Sequence, residues 1–407
     1  MEEIDTIVIG AGPAGMMAAG MAASRGKSVL IIEKNDRYGK KLSITGKGRC
    51  NVTNDCDVDT LIANTPVNGR FLYSAFNTFS SKNTMEFFNN LGVKTKTERG
   101  SRVFPESDKA QDIVTALTDF MKSKGAIGKR GEVKSVNFDG DKVSGVTLKN
   151  GEILKSENVI ITTGGVSYPL TGSTGDGYKF ALGAGHTIIP PKPSLVPLVC
   201  AEKWCGDMMG LSLKNVSISL FEGDKKIYTD FGEMLFTHYG VSGPIILSAS
   251  SHMKQGKNNY KIVIDLKPAL DEPTLDKRIV RDLEKFSKKD FCNSLSELLP
   301  QKMIDTIVML SGIEPHKIVS EITKTERRNL LLLLKNLTVN IKDKRPISEA
   351  IITSGGVKTS EISPSTMESK LKQGLYFAGE VIDVNAYTGG FNLQIAFSTG
   401  FLAGCNV

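Results

Sequence analysis

No apolar run in this chain of 407 residues approaches the ~20 residues needed to span a bilayer, which excludes a helical membrane protein. A secretory leader is not expected either: Glu2, Glu3 and Asp5 stand where a basic region would be needed, and a cytoplasmic location follows. Cysteine is sparse. The six, at positions 50, 56, 200, 205, 292 and 405, form no CxxC pair, and the four histidines show no metal spacing. Free thiols in a reducing compartment are expected, and no metal. There is one tryptophan, Trp204, and no basic patch interleaved with aromatics. The net charge of +7, with a mild excess between Lys261 and Arg345, therefore reads as a solvated face, and nucleic acid is not an expected partner. Internal repeats and low-complexity tracts are absent. A hydrophobic content of 40% and a charged content of 23% belong to a globular protein, too long for one core, so two or three domains are expected.

What the chain does have stands at its start. In "IVIGAGPAGMMAAGMAASRGKSVLIIEK", Ile7 to Lys34, a short β-branched run from Ile4 to Ile9 reads as a buried parallel strand. Gly10, Gly12 and Gly15 follow with G-x-G-x-x-G spacing. The first permits a tight turn, the second the approach of a pyrophosphate, and the third close packing of helix on strand. Residues 14–25 read as a helix whose N-terminus faces the phosphates. A second strand, Ser28 to Ile32, ends at Glu33, an acid placed to accept from a ribose hydroxyl. This is a dinucleotide cradle.

Further along, residues 70–91 and 105–124 read as helices. "GEVKSVNF", "DGDKVSGVTL" and "KNGEILKSENVIITTGG" suggest a β-meander returning to a buried strand, Asn158 to Thr162. Four prolines in residues 190–197 should carry the chain out of the first domain. Residues 194–265 are strand-like, with a hairpin signal at Glu222–Gly223–Asp224; residues 271–335 are helical; strand character resumes at 337–352. The expected order is a nucleotide-binding segment over 1–190 and a β-rich insert over 191–268. A helical subdomain over 269–336, a β-rich return over 337–353 and a second nucleotide-binding segment over 354–407 complete it.

The late segments decide between NAD(P) and FAD. "NVIITTGG" is a buried strand running into a Thr-Gly-Gly turn, and "GLYFAGEVIDVNAYTGGFNLQIAFSTG" is a strand ending at Gly379–Glu380, then a glycine turn and a helix. Flavoproteins of the glutathione-reductase type use such a late strand to bring an acid to the ribityl chain. An NAD-only dehydrogenase has no need to return to its first domain. A disulfide reductase is disfavoured, because Cys50 and Cys56 have the wrong spacing for a redox pair and no second G-x-G-x-x-G exists for NADPH. Cys50 reads as a packing residue beside the flavin.

Six blocks in order, "GKKLSITGKGRCNVTN", "RVFPESDKAQDIV", "TTGGVSYPLTGSTGDGY", "GEMLFTHYGVSGPIIL", "ITSGGVKTSEISPSTMESKL" and the terminal segment above, resemble the BaiN-like, aminoacetone-oxidase-type FAD-dependent oxidoreductases of bacteria. The resemblance covers nearly the whole chain. It implies an α/β fold: a glutathione-reductase-type Rossmann domain for FAD, split by a β-barrel-like insert that itself contains a helical subdomain. It places non-covalent FAD against Gly10, Gly12, Ala14 and Gly15 at the pyrophosphate, and Glu33 and Lys34 at the adenosine ribose. Lys41, Gly46, Arg49, Cys50 and Asn51 line the phosphates and flavin. Val133 holds the adenine, with Thr163 and Gly164 covering that side, and Gly379, Glu380, Asn392 and Leu393 meet the ribityl chain and ring. Members act on different substrates, so the substrate stays open.

Beyond the cofactor, His238 in "GEMLFTHYGVSGP" sits at a loop tip, where it serves either as acid, base or substrate anchor or as an interface residue. Tyr387 is a second catalytic candidate, and Arg102 a weaker anchor for an anion. The expected function is hydride transfer between flavin N5 and a small organic substrate or NAD(P)H. The alternatives are an FAD-dependent RNA-modifying enzyme and a non-catalytic flavin sensor.

Overall fold

The computed structural model of the chain describes residues 4–254, 256 and 259–407. It divides into two compact units, one formed by Met1–Ser194 with Ile347–Val407, the other by Leu195–Pro346.

The first unit is built on a five-stranded parallel sheet. Its order is Leu375–Phe377, Asn158–Ile161, Thr6–Ile9, Val29–Glu33 and Ile127–Arg130. The central strands read TIVI and VLIIE and are buried along their whole length, because both faces of such a sheet are covered. The cradle helix Pro13–Ser24 and the C-terminal helix Phe391–Cys405 carry almost no apolar stripe; they are apolar nearly all round, as helices sunk in a core must be. Small residues let them touch. A Cβ on Gly400 would lie 2.4 Å from the Ala14 carbonyl oxygen, and one on Gly404 at the same distance from that of Ala18.

Two expected helices differ in detail. The 70–91 stretch is a short turn Gly69–Leu72, a helix Tyr73–Thr78 and a second helix Ser81–Asn90. The break falls at Ser80, whose hydroxyl accepts from the Asn83 N–H while its own N–H donates to the Asn83 side chain. A reciprocal cap of this kind starts a new helix rather than continuing the old one. The second helix begins at Ala110, not at Pro105. Residues Arg102–Pro105 instead form the middle strand of a three-stranded antiparallel sheet with Thr53–Asn54 and Thr95–Glu98. The meander is present as Val133–Asp139, Lys142–Leu148 and Ile153–Lys155. The proline-rich segment is also a strand, Ile188–Ser194, antiparallel to Ile352–Val357, with its register broken between Ile189 and Lys192. Pro190 and Pro191 lie in that break, where no N–H can be donated.

The second unit is a closed six-stranded barrel: Leu198–Cys200, Gly240–Ser242, Lys225–Thr237, Ser212–Glu222, Tyr260–Asp265 and Leu337–Lys344, in spatial order. Closure removes the free edges of a sheet. The hairpin turn falls at Gly223–Asp224. Helices Glu272–Lys285, Gln301–Ser311 and Lys324–Lys335 pack onto one hydrophobic cluster with the barrel strands. Within the stretch expected to be strand-like, Pro244–Ser251 is a helix. Pro244 occupies its first turn, where a missing N–H costs nothing, and tertiary burial of Ile245 and Ile246 outweighs their β-branched preference.

Candidate functional site

The carboxyl ends of the parallel strands meet at one edge of the sheet, where ligands bind in folds of this type. Gly10 ends the first strand with φ of +100°, and a Cβ there would sit 2.9 Å from the Thr162 carbonyl oxygen. Gly15 packs tighter: its Cβ would fall 1.9 Å from the Gly10 carbonyl oxygen and 2.6 Å from Thr162 Oγ1. At Gly12 a Cβ would meet nothing within 4 Å. Gly12 caps the cradle helix without any side-chain hydrogen bond, and Pro13 follows it. The open approach and the free N–H groups of that first turn, which includes Ala14 and Gly15, make an anion cradle.

Glu33 ends the second strand, buried, and is already bonded. One carboxylate oxygen accepts from the Ala11 N–H at 2.8 Å; the other accepts from the N–H and the Nδ2 of Asn35, both at 2.8 Å. Since a carboxylate offers about four acceptor sites, the oxygen facing Ala11 retains one for a ribose hydroxyl. Glu33 thus ties the phosphate turn to the strand that must present it. Glu33→Gln forces an amide donor against one of these N–H groups and removes charge-assisted bonds worth about 1.5–3 kcal/mol each. FAD affinity is expected to fall by one to two powers of ten in a fluorescence titration of the apoprotein, and an unchanged dissociation constant removes Glu33 from the site. Lys34 is engaged by Asp176 at 2.7 Å and Thr174 at 2.5 Å. Burial alone would raise the Asp176 carboxyl, but Lys34 and Thr174 outweigh it and hold it at about 2. Val133 begins its strand just after Gly131, whose N–H donates to the Glu33 carbonyl at 2.9 Å.

Glu380 is the second acid expected at the cofactor. Glu380 accepts from Lys41 at 2.7 Å, from Ser167 at 3.0 Å and from the Thr353 N–H at 2.8 Å, and Lys41 also reaches Ser167 at 2.7 Å. Burial opposes ionisation of Glu380, yet the Lys41 ammonium and the hydrogen bonds hold its carboxyl below the ordinary range. Four distant stretches of chain meet there. Ser167 and Thr353 lie in two of the sequence blocks quoted above, but nothing in their spacing marks them as partners of Glu380. A Cβ on the neighbouring Gly379 would come within 3.0 Å of the Ala14 side chain, which sets this acid beside the cradle helix. The C-terminal helix starts at Phe391 after Gly390, with no side chain capping it. Asn392 in its first turn holds the preceding loop, accepting from the Ala386 N–H at 2.9 Å and donating to the carbonyls of Ala386 and Tyr387. Tyr387 donates its N–H to the Asn64 carbonyl, and Leu393, next to Asn392 in the helix, is half-buried.

The loop from Gly46 to Asn51 is the third stretch expected to meet the cofactor. Its backbone is left-handed at Gly46, Lys47, Gly48 and Cys50. Arg49 stacks over Phe104 at 4.1 Å, and its guanidinium bonds Glu98 and Asp108, so it braces the loop from behind. Cys50 is fully buried, and burial pushes its thiol up to about 12; it packs and does not attack. Among the described residues, Asn51 Oδ1 and Thr163 Oγ1 are buried without a hydrogen-bond partner. Buried polar atoms are ordinarily satisfied, and a dinucleotide in this cradle, with Gly164 beside Thr163, is a fitting partner for them. The residues fit FAD.

The HI0933-like protein Rossmann domain matches residues 4–406. The chain belongs to the HI0933-like family. It is 32% identical over 407 residues, 98% of this chain and 97% of the relative, to the 3-dehydro-bile acid delta(4,6)-reductase of Clostridium scindens. It is 31% identical over 404 residues, again 98% and 97%, to the ribosomal RNA dihydrouridine synthase of Escherichia coli. Among solved structures it shares a fold with the 3-ketosteroid-Δ4-(5α)-dehydrogenase of Rhodococcus jostii, at a TM-score of 0.55 and 14% identity over 99% of this chain and 96% of that one. Like its family, this HI0933-like protein is an FAD-dependent oxidoreductase.

Other residues singled out in the sequence have the following surroundings. His238 is exposed in the barrel unit, in the turn between strands Lys225–Thr237 and Gly240–Ser242, its ring edge-on to Tyr239 at 4.7 Å. Arg102 bonds the Arg99 carbonyl at 3.0 Å. Cys200 and Cys205 are buried free thiols in the barrel core. Among the described residues no helix is long and apolar enough to cross a membrane.

Proposed function

We propose that this protein reduces a carbon–carbon double bond conjugated to a carbonyl, with NAD(P)H as electron donor and non-covalent FAD as the carrier. One observation carries the reading. Two relatives of nearly equal similarity, each matched over 98% of this chain, are named for different substrates but for one kind of bond. A 3-oxo-4,6-diene and the uracil ring both place C=C next to C=O.

When bound, FAD would supply hydride chemistry at the carbon β to the carbonyl. The chain supplies the rest. The uncapped first turn of the C-terminal helix favours negative charge at its N–H groups. Glu380 and Lys41 hold the ribityl side, and Asn392 fixes the loop that carries Tyr387. A proton must reach the α carbon, and His238 and Tyr387 are the side chains we assign to that duty. The expected setting is the cytoplasm, where six free cysteines stay reduced.

A small enone is the first reading, following the reductase relative. A uridine in ribosomal RNA is the second, favoured by the synthase relative. Incubation with NADPH and either a 3-oxo-4-ene steroid or ribosomal RNA lacking dihydrouridine, followed by mass spectrometry, separates them. Two added hydrogens on the steroid support the first reading, and two on uridine alone replace it with the second. Neither product overturns the proposal. With the productive substrate, His238→Asn is expected to lower the rate by about 10²–10⁴-fold at unchanged FAD content. A loss below about threefold takes His238 out of the chemistry.

A further inference from the structure

The second unit carries a cluster that the reduction does not use. The turns that follow helices Glu272–Lys285 and Gln301–Ser311 run antiparallel: Asp290 bridges Ile318, and the N–H groups of Phe291 and Cys292 donate to the carbonyls of Lys317 and Pro315 at 2.9 and 3.0 Å. Val319 returns a bond to the Lys289 carbonyl at 3.0 Å, and the Phe291 side chain is fully buried beneath. On this clamped frame one donor atom each of Asp290, Cys292 and His316 lies within 4.8 Å of the other two. His316 Nδ1 lies 3.0 Å from Asp290 Oδ2.

We propose that Asp290, Cys292 and His316 bind a divalent cation of borderline softness, zinc foremost. Zinc takes S, N and O ligands at ~2.0–2.3 Å in a tetrahedron, which sets ligand atoms roughly 3.3–3.8 Å apart. Modest rotamer adjustment brings the three donors to that separation, and the fourth position falls to water. A single carboxylate with a thiol and an imidazole is a poor site for magnesium or calcium, which need several oxygens. The adjacent ammonium groups are turned away, Lys317 onto Glu326 at 2.8 Å and Lys289 over the Phe286 ring at 4.7 Å. His316 is exposed, with 76% of its side chain accessible, so the ion can enter from bulk water. Binding replaces the Asp290–His316 hydrogen bond, sends the thiol proton to solvent, and leaves the ligating imidazole nitrogen without its proton, which passes to the other ring nitrogen or to solvent. The ion pins together two turns that hold helices of this unit.

The test uses full-length, flavin-loaded, tag-free protein, stripped with a chelator and dialysed against zinc. Elemental analysis should find one zinc per chain. Cys292→Ser and His316→Ala should each weaken zinc affinity by at least ~10-fold, the lower end of the cost of losing even an outer-shell partner. Cys56→Ser and Cys405→Ser should not. Because His316 is exposed, His316→Ala keeps the zinc-free melting temperature of the wild type, and zinc should raise that temperature only in the wild type and the two control variants. No zinc on the wild type, equal retention by His316→Ala, or loss with Cys56→Ser would each overturn the site.

Discussion

Gly15→Ala should cost the protein its FAD. The added Cβ would lie 1.9 Å from the Gly10 carbonyl oxygen and 2.6 Å from the Thr162 side-chain Oγ1, and the Gly10 backbone cannot yield without opening the glycine turn. Overpacking of this kind costs about 1–3 kcal/mol, and more where backbone is struck. FAD affinity of the apoprotein should drop by ~100-fold or more, with a lower melting temperature. Gly12→Ala is the informative partner. Its Cβ meets no protein atom within 4 Å, so the flavin-free protein should melt as the wild type does, while a methyl in the pyrophosphate's path weakens FAD. A yellow, fully loaded Gly15→Ala protein would show that the close packing is not what shapes the cradle.

Lys41→Met should be nearly as damaging, by another route. Lys41 and Glu380 keep about a fifth of their side chains accessible, 22% and 21%, so the pair is mostly buried. Breaking a buried pair by removing one partner typically costs about 3–5 kcal/mol, and partial exposure brings the expectation here to about 3. The pH dependence has a definite sign. Glu380 is held below its unfolded value, so the stability it adds is present above the ordinary carboxylate range and is lost as the pH falls through the native value. Denaturant unfolding of wild type and Lys41→Met at neutral pH and near pH 3 should therefore differ less at the lower pH. A constant difference would mean that the loss is one of packing rather than charge.

The cradle was legible in the sequence because its parts are local. Strand, glycines, helix and Glu33 fall within residues 4–33, each with a backbone reason to be there. The return of the late strand to the first sheet was legible because a strand, a glycine turn and a helix repeat that local grammar. What escaped depends on distance. Glu380 finds Lys41 across 339 positions, and no periodicity encodes that meeting. Arg49 stands in a motif that points to the flavin, yet Glu98 and Asp108, on chain it meets only in the fold, hold its guanidinium. Pro190 and Pro191 read as punctuation but sit in a strand, because a two-stranded ribbon tolerates missing donors at a register break. Asp290 and Cys292 are brought to His316 by a turn-to-turn ladder, so their spacing resembles no metal motif.

In the proposed reaction, bound flavin would carry hydride from a nicotinamide to a conjugated double bond. Anaerobic stopped-flow absorbance tests it most directly. Purified yellow protein is first bleached with one equivalent of NADPH or NADH, then mixed with a 3-oxo-4-ene steroid, with the saturated 3-ketone, or with ribosomal RNA lacking dihydrouridine. The account predicts bleaching by at least one nicotinamide and return of the oxidised flavin spectrum with the conjugated substrate or the RNA, but not with the saturated ketone. Flavin that neither nicotinamide bleaches, or that stays reduced in the presence of both unsaturated substrates, would contradict it.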